Sequence, residues 1–531
     1  MLKLVKKLNF TLVFWIFFYF FIFGLLLQNS FSYLDPDLGW HLKVGQEISQ
    51  TRMIPHLNHF NYTYTGAWVD HEWLSNLLSF EIYNNFGYIA LSVFFAAIIL
   101  LSLILINRLT KKYFPKTPTF FLAALQMLGV MACLPHLGVR MQEFGFLFLL
   151  LELWIITEYN RKRSVKILFW LWPLIYLWTN MHGSFLLGVG LLFVWLALKL
   201  FVLCFARSRW GKYIRDIKPI SPGDIKKFGL VTLGAGAMTL VTPYGPELYS
   251  FLGGYNNSFY LRVIEEWLPQ FNFPYNYWQL SYLALALAVL GLFFRDAFGK
   301  RFIYTDTWRL ALVFIFIYLG FSSRRHFPLM FVASFFFIIE AGNALLDVEK
   351  IKPIIKHWGL KLFIIICLLL AGAHQYANIK LTNSPFDAYC RKYPCEAVAY
   401  LSGEESLFAL NLFNEYNWGG YLIWTYPTKK LFIDGRLPQA AYAGHTFVEE
   451  YLEFFKPETD YQNKLAEYDI QLIFLKTQDD KLKVREWERI LFWIKTNSLS
   501  RPNFLRLYLS GSRDWKIIYQ DSLATVYKKN K

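Results

Sequence analysis

Long apolar runs, separated by short polar loops, dominate the first 376 positions of the chain. The hydrocarbon core of a bilayer takes about 20 apolar residues per helix, and inside it each backbone N–H and C=O must be satisfied within its own segment. A chain written this way folds as a bundle of membrane helices. About eleven runs qualify by length, near 10–29, 87–106, 118–137, 143–159, 167–181, 184–204, 228–242, 277–294, 308–322, 327–346 and 360–376. Composition agrees. Hydrophobic residues make up 55% of the 531 positions and charged residues only 17%, where a soluble domain carries about 25%.

The charges orient the runs. Lys3, Lys6 and Lys7 precede the first run; Arg108, Lys111, Lys112 and Lys116 follow the second. Arg161, Lys162, Arg163 and Lys166 follow the fourth, and Arg207 to Lys227 fill the loop after the sixth. Arg295, Lys300 and Arg301 follow the eighth, and Lys350, Lys352, Lys356 and Lys361 the tenth. Loops rich in lysine and arginine stay in the cytoplasm. The N-terminus is therefore expected inside, as an uncleaved first helix, and an odd number of crossings puts the C-terminus outside. This placement explains the net charge of +16 by membrane topology, and no nucleic-acid partner is expected.

Residues 1–376 thus read as a transmembrane domain, with large external loops at 30–86 and 243–276, and 377–531 as an extracytoplasmic domain. In that last segment "SLFALNLF", "KLFIDGR", "IQLIFLK" and "WKIIYQDSLATVYKK" have the apolar pattern of strands. "CEAVAYLS", "HTFVEEYLEFF", "YQNKLAEY" and "VREWERILFWIK" read as intervening helices. Strands alternating with helices predict an α/β layer with a mostly parallel sheet. Cys133, Cys204 and Cys367 lie in or beside apolar runs, where a thiol acts as a small hydrophobe. Cys390 and Cys395 frame "CRKYPC"; outside the cytoplasm they form either a short-loop disulfide or two unpaired thiols.

The first external loop opens with "YLDPDLGWHLKVGQEI", residues 33–48. Asp35 followed by Pro36 has the form of a helix start, the acid as N-cap and the proline at the first helical position. A helix beginning there puts Asp37, Trp40, His41, Val44 and Ile48 on one face. An acid on so apolar a face is either paired, for instance with His41, or lines a wet pocket, because burying a lone carboxylate is costly.

The stretch from Asp37 to Ile48, then Pro55, resembles the first external loop of the GT-C membrane glycosyltransferases, among them the protein O-mannosyltransferases and aminoarabinose transferases. In that register Asp37 takes the place of the family's catalytic acid. The usual second acid falls on Leu38, which is not acidic and leaves open whether Asp35 and Asp37 form the pair here. The combination of "DPDLGWHLKVGQEI", "WVDHEWLSNLL", "TNMHGSF", "TPYGPELY", "IEEW", "SSRRHFP", "NWGGYLIW" and "FIDGR" is similar to a group of bacterial glycosyltransferase-like membrane proteins. A fainter likeness is to the catalytic subunit of oligosaccharyltransferases. Their Trp-Trp-Asp-Tyr-Gly motif has only "NWGGYLIW" as a counterpart, without its aspartate, which speaks against transfer to a peptide asparagine.

The resemblance implies a GT-C-like bundle of about eleven transmembrane helices with a C-terminal extracytoplasmic α/β domain, in the inner membrane of a bacterium. It also implies an inverting transferase that takes a sugar from a polyprenyl-phosphate donor, with membrane lipids around it, to an envelope glycan, lipid or protein. Such chemistry needs a base for the acceptor hydroxyl and cations for the leaving phosphate. Asp37, or Asp35, supplies the base. Arg324 and Arg325, with Arg140, offer guanidinium groups suited to phosphate; otherwise they snorkel to headgroups. Asp70 and Glu72 in "VDHEW" form a second acidic patch or a helix start, and with His41 they line the donor site. Together with Asp37 they could hold a divalent cation through hard oxygens, yet no cofactor or metal site is expected, since no spacing demands one. Glu265 and Glu266 lie among aromatics suited to a sugar or to an interface belt. Trp418, Asp434 and Arg436 are candidates for touching an acceptor at a strand end, with an internal Asp–Arg pair as the other reading. A non-enzymatic envelope factor or a lipid-linked polymer transporter is the alternative function. A transporter would place charges near mid-membrane, where only Glu152 and Glu340 stand.

Overall fold

A computed structural model of the protein describes residues 10–205, 220–254, 259–298, 307–345, 358–437, 440–442, 444–479, 481–496, 498–500 and 502–530. Many of the lysines and arginines used for orientation, including Lys3, Lys6, Lys7, Arg207, Lys300, Arg301, Lys350, Lys352 and Lys356, lie outside the described residues. By internal contacts the chain divides into two compact units. The first comprises Met1–Tyr33, Ile89–Pro246 and Glu265–Leu381; the second comprises Leu34–Tyr88, Glu247–Ile264 and Thr382–Lys531. The first external loop thus clusters with the C-terminal segment rather than with the helices that flank it in sequence.

A helix occupies each expected apolar run of the first unit. They are Phe10–Ser30, the distal leg of Trp73–Tyr113, Thr119–Cys133, Gln142–Lys162, Leu171–Met181, Phe185–Phe205, Pro222–Met238, Tyr277–Phe298, Thr307–Ser322, Phe327–Leu345 and Trp358–Ala377. Among the described residues, seven helices are long and apolar enough to cross a membrane. Others fall short by length, such as Leu171–Met181, or by charge, as in Gln142–Lys162 with Glu143, Glu152 and Glu158. This is a multi-pass membrane protein. Polar contacts tie the bundle where lipid offers no partner. Tyr376 stacks on Phe20 at 4.4 Å and donates its hydroxyl to the Phe20 carbonyl at 3.0 Å. Asn29 donates to the Leu134 carbonyl at 3.0 Å, and Arg309 pairs with Glu340 at 2.7 Å.

Gly87 interrupts the long helix Trp73–Tyr113. Its φ of 79° and ψ of 178° are open to glycine and strained for other residues. The leg before this break belongs to the second unit and the leg after it to the first.

The second unit holds strands β1 (Asn411–Asn414), β2 (Ile470–Lys476), β3 (Lys481–Lys483), β4 (Ser498–Ser500), β5 (Trp515–Gln520) and β6 (Ala524–Lys529). The main sheet runs β1-β2-β6-β5. β1 and β2 are parallel, whereas β2–β6 and β6–β5 are antiparallel. The expected mostly parallel sheet is therefore mixed. "WKIIYQDSLATVYKK" closes as a hairpin, and a hairpin can only add antiparallel pairs. The expected helices form as Cys395–Gly403, Phe447–Glu453, Tyr461–Glu467 and Glu486–Leu491. Cys390 and Cys395 are joined by a disulfide.

"KLFIDGR" does not make a full strand. Leu431 forms single bridges, to Leu412 of β1 on one side and to Asn61 of the first loop on the other. Leu431 N–H donates to the Phe60 carbonyl at 2.9 Å, and Tyr62 N–H to the Leu431 carbonyl at 3.2 Å. The first loop therefore extends the sheet edge, over a core of Phe413, Phe432, Ile433, Phe447, Tyr451 and Phe454.

Candidate functional site

In the second unit, helix Leu38–Thr51 starts two residues later than the Asp35–Pro36 signal suggests. Asp37 stands at the N-cap position with φ −89° and ψ −13°, and its side chain makes no capping bond. Asp35 Oδ1 instead accepts the Asp37 N–H at 2.8 Å, an Asx turn that carries the chain into the helix. The structural duty thus falls on Asp35, and the Asp37 carboxylate is not used to hold the helix end. Trp40, His41, Val44 and Ile48 are buried as the shared face requires, and Asp37 is half-buried.

Three separated motifs converge on this carboxylate. "NWGGYLIW" folds as helix Gly419–Thr425 and packs against helix Leu38–Thr51. A Cβ on Gly39 would strike the Gly420 carbonyl, one on Gly420 the Pro36 carbonyl, and one on Gly435 the Asp37 Oδ1 atom. The glycines of "DPDLG", "NWGG" and "FIDGR" are there because backbones and the Asp37 carboxylate approach too closely for a side chain.

Beside it lies a buried polar relay. Asn76 Nδ2 donates to Asp70 Oδ1 and Oδ2 at 3.0 and 2.9 Å, so the Asn76 Oδ1 atom faces His41 Nδ1 at 2.6 Å. His41 then donates from Nδ1 and turns Nε2 toward Glu72 Oε2 at 3.8 Å; His71 Nε2 approaches Glu72 Oε1 at 3.6 Å. Asp70 Oδ1 also accepts the Glu72 N–H at 3.1 Å, just ahead of the helix start at Trp73. Burial pushes the Asp70 carboxyl up to about 6, against the opposing pull of Asn76, the Glu72 N–H and Arg436. The "VDHEW" stretch is thus both a helix start and part of the polar relay. Among the described residues, no group of three or more His, Cys, Asp or Glu side chains is arranged to hold a metal ion.

The acceptor candidates of the second unit are interior. Asp434 and Arg436 are 0% and 4% exposed. Arg436 Nη2 meets Asp434 Oδ2 at 2.8 Å and donates to Asn58 and Asn61 at 3.0 and 3.2 Å. Its guanidinium lies 4.5 and 4.8 Å from the Phe60 and Trp68 ring centres. Trp418 is buried against Phe474. The internal Asp–Arg pair is the arrangement realised, and it fastens the first loop to "FIDGR".

In the first unit the arginines are paired. The turns Glu265–Trp267 and Arg324–His326 are laced by Arg324 N–H to the Leu268 carbonyl at 3.1 Å and Ser323 Oγ to the Glu266 carbonyl at 3.3 Å. Arg324 is buried. It bonds Glu265 at 3.2 Å, the Pro274 carbonyl at 2.8 Å and the Asn272 carbonyl, and so holds the loop. Arg325 is different. It pairs with Glu266 and stacks over Trp267 at 4.9 Å, while Arg140 reaches the other Glu266 oxygen at 3.7 Å. The side chains of Arg140 and Arg325 remain 22% and 29% exposed. Burial would raise the Glu266 carboxyl, but Arg325 and Arg140 outweigh it and hold the group below its ordinary range. Two guanidinium groups thus reach one carboxylate, and both keep part of their side chains exposed.

Sequence reasoning missed Asn76, Asn58 and Asn61. Asn76 follows Glu72 by one helical turn, which puts it within reach of the acids, but an asparagine in a helix carries no distinguishing pattern. Asn58 and Asn61 gain meaning only once Arg436 arrives from a distant part of the chain.

Neither a protein-family model nor a curated protein matches the chain by sequence. Solved structures do match by shape. The oligosaccharyltransferase of Archaeoglobus fulgidus in its apo form is similar at a TM-score of 0.51 and 11% identity, over 89% of this chain and 70% of that one. The same enzyme tethered to an acceptor peptide containing the NVT sequon matches at 0.50 and 10%, over 86% and 68%. The archaeal oligosaccharyltransferase AglB in complex with an inhibitory peptide and a dolichol-phosphate matches at 0.51 and 11%, over 97% and 80%. The fold is that of a GT-C-type membrane bundle with a C-terminal α/β part.

Proposed function

We propose that the protein is an inverting GT-C-type glycosyltransferase of a bacterial inner membrane, which moves a sugar from a polyprenyl-phosphate donor to an envelope acceptor on the extracytoplasmic face. The observation that carries this reading is the Asp37 carboxylate. It occupies a cap position without capping, while Asp35 does the local structural work. The acceptor O–H gives its proton to Asp37. The acceptor oxygen attacks the anomeric carbon as the bond from that carbon to the phosphate oxygen breaks, and the phosphate leaves with the electron pair. A single displacement of this kind inverts the anomeric centre. In the first unit, the partly exposed guanidinium groups of Arg325 and Arg140 suit a phosphate. The fold likeness to an enzyme solved with a dolichol-phosphate supports the lipid-linked donor class.

The alternative, a lipid-linked polymer transporter, draws on Glu152, a buried carboxyl inside helix Gln142–Lys162 with neither oxygen hydrogen-bonded among the described residues. A transfer assay with a panel of radiolabelled polyprenyl-phosphate sugars and envelope extract separates the two. Label moving to acceptor with release of polyprenyl phosphate supports the transferase. Movement of intact lipid-linked material across the membrane, with no bond cleaved, supports the transporter.

A further inference from the structure

One stretch of the second unit exposes apolar, aromatic and basic side chains in close succession, and the transfer reaction makes no use of it. It is built from consecutive pieces. β3 and β4 pair with Leu482 opposite Leu499. Directly opposite residues of an antiparallel pair point to the same face, and both leucines are exposed, at 43% and 40%. Helix Glu486–Leu491 follows, with Trp487, Ile490 and Leu491 at spacings of three and four, hence on one side. That side is also exposed, Ile490 and Leu491 at 68% and 66%. Trp493 comes next with φ +53° and 89% exposure. A tryptophan so placed is not held by the packing of its own unit.

The charges around these residues are mostly of one sign. Arg485 and Lys495 are exposed and Arg489 half-exposed, while Lys481 and Lys483, also exposed, flank Leu482 from the other face of the ribbon. Of the two acids in the stretch, Glu488 is buried, and its Oε2 accepts the Arg485 N–H in the helix cap at 2.6 Å. That leaves Glu486 as the exposed acid. Tryptophan and leucine beside lysine and arginine, in a short amphipathic segment, is the pattern of a surface that enters the headgroup region of a bilayer. Apolar groups pass below the phosphates while cations meet them. A protein partner would match the apolar patch equally well, but it would have to bring its own acidic rim. The chain is a membrane protein, so an anionic lipid surface is always at hand.

We propose that residues 481–495, with Leu499, form a membrane-interface anchor that seats on anionic phospholipid. This stands apart from the transfer chemistry and does not depend on it.

The test places an environment-sensitive dye on the full-length protein at Ile490→Cys, and separately at the exposed turn position Arg513→Cys. Both use a background with Cys204→Ser and Cys367→Ser, in nanodiscs of phosphatidylcholine with or without phosphatidylglycerol. With an anchor, shallow nitroxide-labelled lipids quench the dye at 490 several-fold more than at 513, and aqueous iodide quenches it several-fold less. The contrast grows with phosphatidylglycerol and shrinks when Lys481, Lys483 and Lys495 are changed to Glu. Equal quenching at the two positions overturns the proposal. So does shielding of position 490 from both quenchers, which would mean that a protein surface covers the patch.

Discussion

Two arginine–carboxylate clusters sit in the two units and behave in opposite ways. Arg436 and Asp434 are sealed, one cation to one anion, with two asparagines and two aromatic rings completing the shell. Arg140 and Arg325 both reach the Glu266 carboxylate and keep part of their surface open. A buried pair offers no exposed edge to a ligand and serves to hold chain segments together. A cluster with exposed guanidinium edges can exchange part of its pairing for a phosphate. Exposure, more than residue type, separates the structural arginine from the two proposed to bind.

The sharpest way to break this contrast is to truncate the sealed cluster. Arg436→Ala leaves Asp434 buried without a partner, and the expected loss is on the order of 3–5 kcal/mol, read as a large fall in the melting temperature of the purified protein. Replacing Arg436 and Asp434 together with apolar residues should recover part of that loss. An unchanged melting temperature for Arg436→Ala would contradict the structural role.

The open cluster should respond the other way. Arg325→Ala or Arg140→Ala is expected to shift stability by no more than about 1 kcal/mol, as for partly exposed ion pairs. At limiting donor, transfer should fall roughly 10- to 100-fold, the range of a charge-assisted hydrogen bond. Arg325→Lys should restore part of it, since a point charge remains while the planar fork is lost. Full activity in both alanine variants would remove this cluster from the donor site.

A smaller effect tests the relay. The folded Asp70 carboxyl titrates near 6 rather than at its ordinary 3.8. Between those values the folded state holds a proton that the unfolded state has released. The Asp70 contribution therefore falls as pH rises across that window, and its penalty is complete above about 6. The melting-temperature difference between wild type and Asp70→Asn should accordingly move in favour of the variant as pH rises through that window, by a few degrees at most. A difference that is flat with pH would contradict the raised value.

Much of the architecture was legible because membrane helices are specified by length and apolarity alone. A helix stands at each expected run, and the strands at 470 and 515 begin where the expected segments do, whereas "SLFALNLF" is a strand only from Asn411 and "WKIIYQDSLATVYKK" divides into two strands. What escaped was decided by residues far apart in the chain. The sheet is mixed because a terminal hairpin joins it, and Leu431 bridges to a loop more than three hundred positions away. Arg324 and Arg325 are neighbours with the same charge, yet Arg324 is buried against two carbonyls and Glu265, whereas Arg325 is partly exposed beside Glu266. Which of them is available depends on the Glu265–Pro274 loop and not on their own motif. The Asp35–Pro36 signal puts the N-cap at Asp35, but Asp37 takes the N-cap position and Asp35 accepts its N–H in an Asx turn that precedes the helix.

The most direct measurement compares Asp37→Asn with Asp35→Asn in the polyprenyl-phosphate sugar transfer assay, each checked for an unchanged melting temperature. With Asp37 as the base, Asp37→Asn should lose on the order of 10²- to 10⁴-fold in transfer rate, while Asp35→Asn keeps most of its activity. Transfer by Asp37→Asn at the wild-type rate would contradict the central claim.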